Sequence, residues 1–202
     1  MKLQTEAVII GGGVIGCSIA YHLAKLGMTD VMLLERQELT SGSSWHAAGG
    51  VHGLHDTNNI ARLQYYTMNL YRELEQETGQ SVGFHQTGYL YLAQTISAAK
   101  ARQFNGVEFH EISLKEAAEK HPFVNFDGIQ MAVWESESGY VDVNGVTHAY
   151  AQAARNRGVT IERFCPVLET NPRADGGWDV VTEKGTIQTR VLVNAAGLWG
   201  RE

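Results

Sequence analysis

The residues whose spacing could do chemistry lie near the start of the chain. Gly11, Gly13 and Gly16 fall in the pattern G-x-G-x-x-G. A β-branched apolar run, 7–10, precedes them, and an apolar helical pattern follows. A second apolar run, 31–34, ends in Glu35 and Arg36. Each glycine answers a steric need. Gly11 allows a tight turn out of a first strand, Gly13 lets backbone approach a pyrophosphate, and Gly16 lets a helix pack close to that strand. The helix N-terminus then offers N–H groups and a partial positive charge to phosphate oxygens. Glu35 stands where an acid accepts hydrogen bonds from a ribose. The chemistry is recognition of a dinucleotide, and the spacing does not separate FAD from NAD.

A second stretch, 39–53, reads LTSGSSWHAAGGVHG. Its composition is that of a flexible linker. It also carries Trp45 and His46 side by side, which a linker does not need. Small residues crowded around an aromatic ring and an imidazole point to backbone passing close to a bound planar ligand. Residues 47–50 are expected to open a helix facing it. His46, His52 and His55 match no metal-ligand spacing, and no metal site is expected. The only cysteines, Cys17 and Cys165, form no C-x-x-C pair and no disulfide framework. Cys17 reads as a small apolar packing residue.

Bulk properties narrow the class. A net charge of −6 and a pI near 5.7 argue against nucleic acid as the partner. A hydrophobic fraction of 44% indicates a globular chain. The 202 residues suffice for one large domain plus part of a second. No apolar stretch is long enough to span a bilayer. The glycine motif leaves no room for a signal or transit peptide, so a cytoplasmic, reduced setting is expected.

The elements that must position these residues follow from periodicity. A strand over 6–10, a helix over 14–26 and a strand over 30–34 form a βαβ opening for a doubly wound parallel sheet. Ile15, Ile19, Leu23 and Leu26 share one face of that helix, and Gly27 stops it. A long helix is expected over 58–78, with Ile60, Leu63, Thr67, Leu70 and Leu74 as its buried stripe and Gly79 at its end. Tyr65, Tyr66 and Tyr71 read as packing or surface residues. Next come a strand over 84–92 containing Gly88, a short helix over 97–104, a turn at Asn105-Gly106 and a strand over 107–112. Ser113 and Glu116 make a capping box for a helix running to Lys120. A strand over 129–135 completes an antiparallel sheet with helices. Asp142 or Asn144 caps a helix over 145–157, stopped by Gly158. A strand over 159–167, a hairpin of 178–182 with 186–189, and a strand over 190–194 follow. The expected organisation is a nucleotide-binding domain in two parts, 1–80 and 141–202, around an inserted domain at 81–140.

Three motifs carry a resemblance to a known family: GGGVIG with Glu35-Arg36, Ser43-Ser44-Trp45-His46-Ala47-Ala48-Gly49, and Val193-Asn194-Ala195-Ala196-Gly197-Leu198-Trp199. Residues 77–93, ETGQSVGFHQTGYLYLA, add to it. The chain resembles the N-terminal part of the FAD-dependent amine oxidoreductases of the D-amino-acid-oxidase superfamily, in the branch holding dimethylglycine and sarcosine dehydrogenases. The resemblance implies an α/β, FAD-binding Rossmann-like domain with an inserted antiparallel α+β substrate domain, truncated at the C-terminus. It implies FAD linked covalently through His46. Val14 and Ile15 would lie at the pyrophosphate, and Glu35 and Arg36 at the adenosine. Gly42, Ser43, Ser44, Trp45, His46, Ala47, Ala48, Gly49 and Gly50 would wrap the flavin side. Val167 would touch the adenine, and Ala196, Gly197 and Trp199 would close over the ribityl-phosphate region. The implied reaction is hydride loss from the N-methyl carbon of a small N-methylated amino acid such as dimethylglycine or sarcosine. The resulting iminium would be hydrolysed to formaldehyde or captured by tetrahydrofolate in a region beyond Glu202. The catalytic residues would also lie there. The alternatives are a non-covalent FAD amino-acid oxidase and a non-catalytic fragment.

Overall fold

A computed structural model describes residues 2–55, 57–95 and 109–201. In chain order its elements are β1 (Gln4–Ile10), α1 (Val14–Lys25), β2 (Val31–Leu34), a 3-10 turn (Ser44–His46), β3 (Gly50–Val51), α2 (Asn58–Thr78), β4 (Tyr89–Ala93) and β5 (Phe109–Ile112). There follow α3 (Leu114–Lys120), β6 (Met131–Glu135), β7 (Gly139–Tyr140), α4 (Val143–Asn156), β8 (Thr160–Glu162), β9 (Val167–Pro172), β10 (Trp178–Thr182), β11 (Gly185–Asn194) and a second 3-10 turn (Gly197–Trp199). The chain forms two compact units. One comprises Met1–Ala48, Leu74–Val82 and Asp142–Glu202, the other Gly49–Glu73 and Gly83–Val141.

The first unit is built on a six-stranded sheet in the order β8-β2-β1-β11-β10-β9. The four strands from β8 to β11 run parallel. β10 and β9 add antiparallel pairs, so the sheet is mixed. All four residues of β2 are buried, which is the continuous apolar reading expected of a strand covered on both faces. Val8, Met32, Leu34, Cys165, Val180 and Ile187 form a core cluster at this sheet.

Helix α1 buries a different face from the one its large apolar residues mark. Its buried residues are Gly16, Cys17, Ala20, Tyr21 and Ala24, while Ile15 and Leu26 are 63% and 84% exposed. Small side chains let backbones approach closely, and α4 answers with Gly145, Ala149, Ala151, Ala153 and Ala154 in its own buried set. Tyr21 and Tyr150 meet with ring centroids 5.6 Å apart. Asp142, not Asn144, caps α4, and its carboxylate accepts from the Asn144 N–H at 3.0 Å.

Two strand expectations are corrected in this unit. The single strand over 159–167 is two, β8 and β9, on opposite edges of the sheet. Between them Phe164 takes a positive φ of 53° and Pro166 follows, which together end a ladder. Conversely, 186–189 and 190–194 are one strand. β11 pairs antiparallel with β10 through its first half and parallel with β1 from Gln188 to Asn194.

The second unit holds an antiparallel sheet, β4-β6-β5, and a two-stranded pair, β3-β7. Helix α2 has its expected bounds, but its stripe is rotated in the first half. Ala61 and Met68 are buried there, while Ile60 and Leu63 are 38% and 59% exposed. Leu70 and Leu74 are buried as expected. The strand expected over 84–92 starts only at Tyr89, because Gly88 at φ +76° turns the backbone. A side chain at Gly88 would also strike the Trp134 ring. Ser113 caps α3, accepting from the Glu116 N–H at 3.1 Å. No helix opens at 47–50; Gly50 and Val51 pair instead with β7. The expected helix over 97–104 and the Asn105-Gly106 turn lie outside the described residues.

Candidate dinucleotide site

The first unit carries a cleft of about 630 Å³ at the C-terminal ends of its parallel strands, within the size range of ligand sites. Its floor is the turn after β1. Gly11 has φ +109°, and a Cβ there would lie 2.4 Å from the Ala195 carbonyl oxygen. A Cβ on Gly16 would lie 1.9 Å from the Gly11 carbonyl oxygen. The turn, helix and third-motif backbone are therefore packed to a spacing that admits hydrogen only.

Helix α1 starts at Val14 with Gly13 as N-cap and no acid in its first turn. The helix end keeps its partial positive charge without a carboxylate of its own. The Val14 N–H is met by Ser44 Oγ at 2.9 Å, and the Thr40 N–H donates to the Gly12 carbonyl at 3.1 Å. These two bonds hold the 39–47 loop against the helix start.

Glu35 follows β2 and is only 9% exposed. Oε2 accepts from the Gly12 N–H at 2.7 Å and Oε1 from the Gln37 N–H at 2.8 Å. Each oxygen retains acceptor capacity, and the residue lines the cleft. Those are the acceptors that the two hydroxyl donors of a ribose diol require. Arg36 lies with its guanidinium 4.2 Å from the Trp199 ring centroid, a cation–π contact. Gly42 leaves room for that ring, since a Cβ there would sit 3.2 Å from it. Trp199 is thus a cleft wall stacked on an arginine.

Of the residues singled out from the sequence, Gly11, Gly13, Val14, Ile15, Glu35 and Arg36 line the cleft. So do Gly42, Ser43, Ser44, Ala47, Val167, Ala196, Gly197 and Trp199. Gly16 sits beneath it as a packing residue. Trp45, His46 and Ala48 are exposed and do not line it. The Trp45 and His46 rings lie 3.8 Å apart, and His46 Nδ1 is 3.3 Å from the Gly42 carbonyl. Gly49 and Gly50 fall in the second unit. The sequence reading missed Leu168, Glu169 and Thr170 of β9, which line the cleft; the expected strand stops at Val167. It also missed Asn194, whose side chain bonds the Ala196 N–H and the Gly200 carbonyl at 3.1 and 2.7 Å and shapes the turn after β11. The NAAG run was the available signal.

Among the described residues, no three His, Cys, Asp or Glu side chains gather as a metal set, and no helix is long and apolar enough to cross a membrane.

A βαβ opening with a hydrogen-only glycine turn, a ribose-type acid and a loop clamped over a helix start defines a dinucleotide-binding α/β protein. The chain belongs to the FAD dependent oxidoreductase (DAO) family, which it matches over residues 6–202. It is 42% identical to the mitochondrial dimethylglycine dehydrogenase of Rattus norvegicus, with all of this chain aligned to 24% of that protein. It is 37% identical to the mitochondrial sarcosine dehydrogenase of Homo sapiens, over 96% of this chain and 22% of that protein. The solved structure of L-proline dehydrogenase from P. horikoshii superposes with a TM-score of 0.85 at 28% identity, over 99% of this chain and 55% of that one. The chain spans about a quarter of the length of these curated relatives.

Proposed function

We propose that this chain is the FAD-binding part of an oxidoreductase that demethylates a small N-methylated amino acid, dimethylglycine or sarcosine. The observation that carries the reading is the cleft itself: the packed Gly11–Gly16 turn, a helix start with no acid in its first turn and an acid with open acceptor capacity. In this arrangement the α1 N-terminus holds the pyrophosphate, Glu35 the adenosine ribose, and the wall of Val167, Ala196, Gly197 and Trp199 excludes water from the remainder. Bound FAD would supply the acceptor for a hydride leaving the N-methyl carbon. The iminium left on the substrate is hydrolysed to formaldehyde or passed to tetrahydrofolate.

The finer part of the reading is a covalent link at His46. With its proton on Nδ1 directed at the Gly42 carbonyl, Nε2 keeps the lone pair that attachment to a flavin methyl carbon needs. A second reading is non-covalent FAD, favoured by the exposure of His46 and its absence from the cleft lining. The intact mass of the denatured protein separates the two. A mass increase of one FAD, lost in His46→Ala, supports the link. FAD that is bound but released on denaturation overturns it and leaves the non-covalent enzyme.

A further inference from the structure

The walls of the cleft differ in how they are held. β9 lies in a ladder with β10, and β11 is paired on both sides, with β1 and with β10. The loop 41–47 contributes Ser41, Gly42, Ser43, Ser44 and Ala47 to the lining and belongs to no ladder. Its 3-10 turn packs beside α4. Apart from local turn bonds, it has among the described residues one hydrogen bond to the rest of the unit, from the Val14 N–H to Ser44 Oγ at 2.9 Å. At the root of this loop the backbone is strained. The Ser41 N–H donates to the Glu38 carbonyl at 3.3 Å and closes a four-residue turn with Thr40 in third place. Thr40 has a φ of 73°. A third turn position with positive φ is where Gly or Asn is found, because a side chain branched at Cβ crowds its own backbone there. The surroundings hold Thr40 in place from both sides. Leu39 is buried, and a Cβ on Gly12 would lie 2.6 Å from its side chain. The Thr40 N–H donates to the Gly12 carbonyl at 3.1 Å. Strain of this kind persists only where the structure over-determines it, and it gathers at ligand clamps. Thr40 itself does not line the cleft, so it acts through the loop.

We propose that Thr40 is a positioning residue of the dinucleotide site, whose strained backbone makes the 39–47 loop the wall that yields when a dinucleotide enters or leaves. The proposal rests on the dinucleotide reading of the cleft and adds to it the route of exchange. Opening the loop lets Thr40 return to negative φ and relieves the strain. Closing it restores the strain and brings Ser44 back over the start of α1, where the pyrophosphate is received. The strain therefore raises the open fraction of the loop, and the rate of ligand release scales with that fraction. His46 travels on the same loop, so FAD enters before any link at His46 can form.

The test uses the polypeptide that carries this chain at the length of its relatives, with His46→Ala so that FAD stays exchangeable. FAD release is followed by the rise in flavin fluorescence on dilution. Thr40→Asn, which tolerates the left-handed backbone, and Thr40→Gly are each expected to slow release about 5-fold. Thr40→Val removes the hydroxyl, keeps the branch and should match the parent. Ser44→Ala frees the same loop and is expected to speed release about 5-fold. Unchanged or faster release in Thr40→Asn overturns the proposal. A Thr40→Val that behaves like Thr40→Asn also overturns it, since the hydroxyl would then be responsible. Amide hydrogen exchange at Val14, whose N–H is met by the Ser44 hydroxyl, gives a readout in the flavin-free protein. Exchange slower by a similar factor in Thr40→Asn supports the proposal, and an unchanged rate overturns it. A parent protein that takes up no FAD fails the dinucleotide reading itself, and the entry role of the loop falls with it even where exchange at Val14 slows.

Discussion

Glu35 and Glu135 are the same side chain in two kinds of surroundings. Each sits where a strand ends, and each accepts a hydrogen bond from the backbone N–H of a glycine. Glu35 takes one N–H per oxygen and faces a cleft. Glu135 takes bonds from two amides, has no exposed surface and faces its own loop. A carboxylate with spare acceptor capacity at an opening recognises a ligand. A carboxylate with no surface to offer a ligand fixes backbone.

The comparison can be broken by substitution. The largest effect is expected at the floor beneath Glu35. Gly11→Ala needs both a left-handed backbone and a Cβ within 2.4 Å of a carbonyl oxygen. It should cost at least about 3 kcal/mol in chemical denaturation and abolish bound flavin. The two acids should then separate. Glu135→Gln turns an amide NH₂ toward a backbone donor and is expected to destabilise the protein by about 2–3 kcal/mol with FAD affinity unchanged. Glu35→Gln is expected to weaken FAD roughly 10- to 100-fold by titration, with a smaller loss of stability. If both variants lose stability and flavin alike, the distinction between ligand acid and loop acid is wrong.

Burial can be probed more gently at Cys17, fully buried on α1. Loss of solvation pushes its thiol up to about 12. The thiolate is the reactive form, so alkylation of Cys17 should follow unfolding and not precede it. The smallest effect is expected at the β9-β10 turn. There Arg173 and the Gly177 N–H pull the Asp175 carboxyl down to about 2. A carboxyl lowered on folding contributes stability above its ordinary value and loses it as pH falls through the lowered one. Asp175→Asn should therefore be slightly less stable at neutral pH, with the difference fading as pH falls from about 4 toward 2. Thermal unfolding across that range checks it.

The two acids also differ in how far the sequence reveals them. Glu35 is announced by spacing, because glycines, helix and acid all lie within one βαβ unit and their geometry is local. Glu135 closes an ordinary apolar strand, and the amides it holds are 82 and 81 residues away in the chain. No local pattern reports that. The errors elsewhere share this origin. The buried face of α1 is chosen by packing against α4, so its small residues outrank its large ones. The break between β8 and β9 depends on Phe164 and on two sheet edges that no short window contains. β11 reads as two strands because it changes partner midway. By contrast, the bounds of α2 and the cap at Ser113 were legible, and the α4 cap was narrowed to Asp142 or Asn144, since those signals act within one helical turn.

The pairing of β1 with β11 joins residues 4–10 to residues 188–194. That is a long-range pairing, and such contacts form slowly because loop closure precedes any gain. It also sets an order of events during synthesis. The Gly11 turn is made first, yet the carbonyl of Ala195 that packs on it and the ring of Trp199 that walls the cleft are made about 180 residues later. A nascent chain therefore displays half a dinucleotide site while the residues between the two motifs are made. Cofactor capture waits for the second half, and a stall before Asn194 leaves a product that holds the fingerprint motif and cannot retain the dinucleotide.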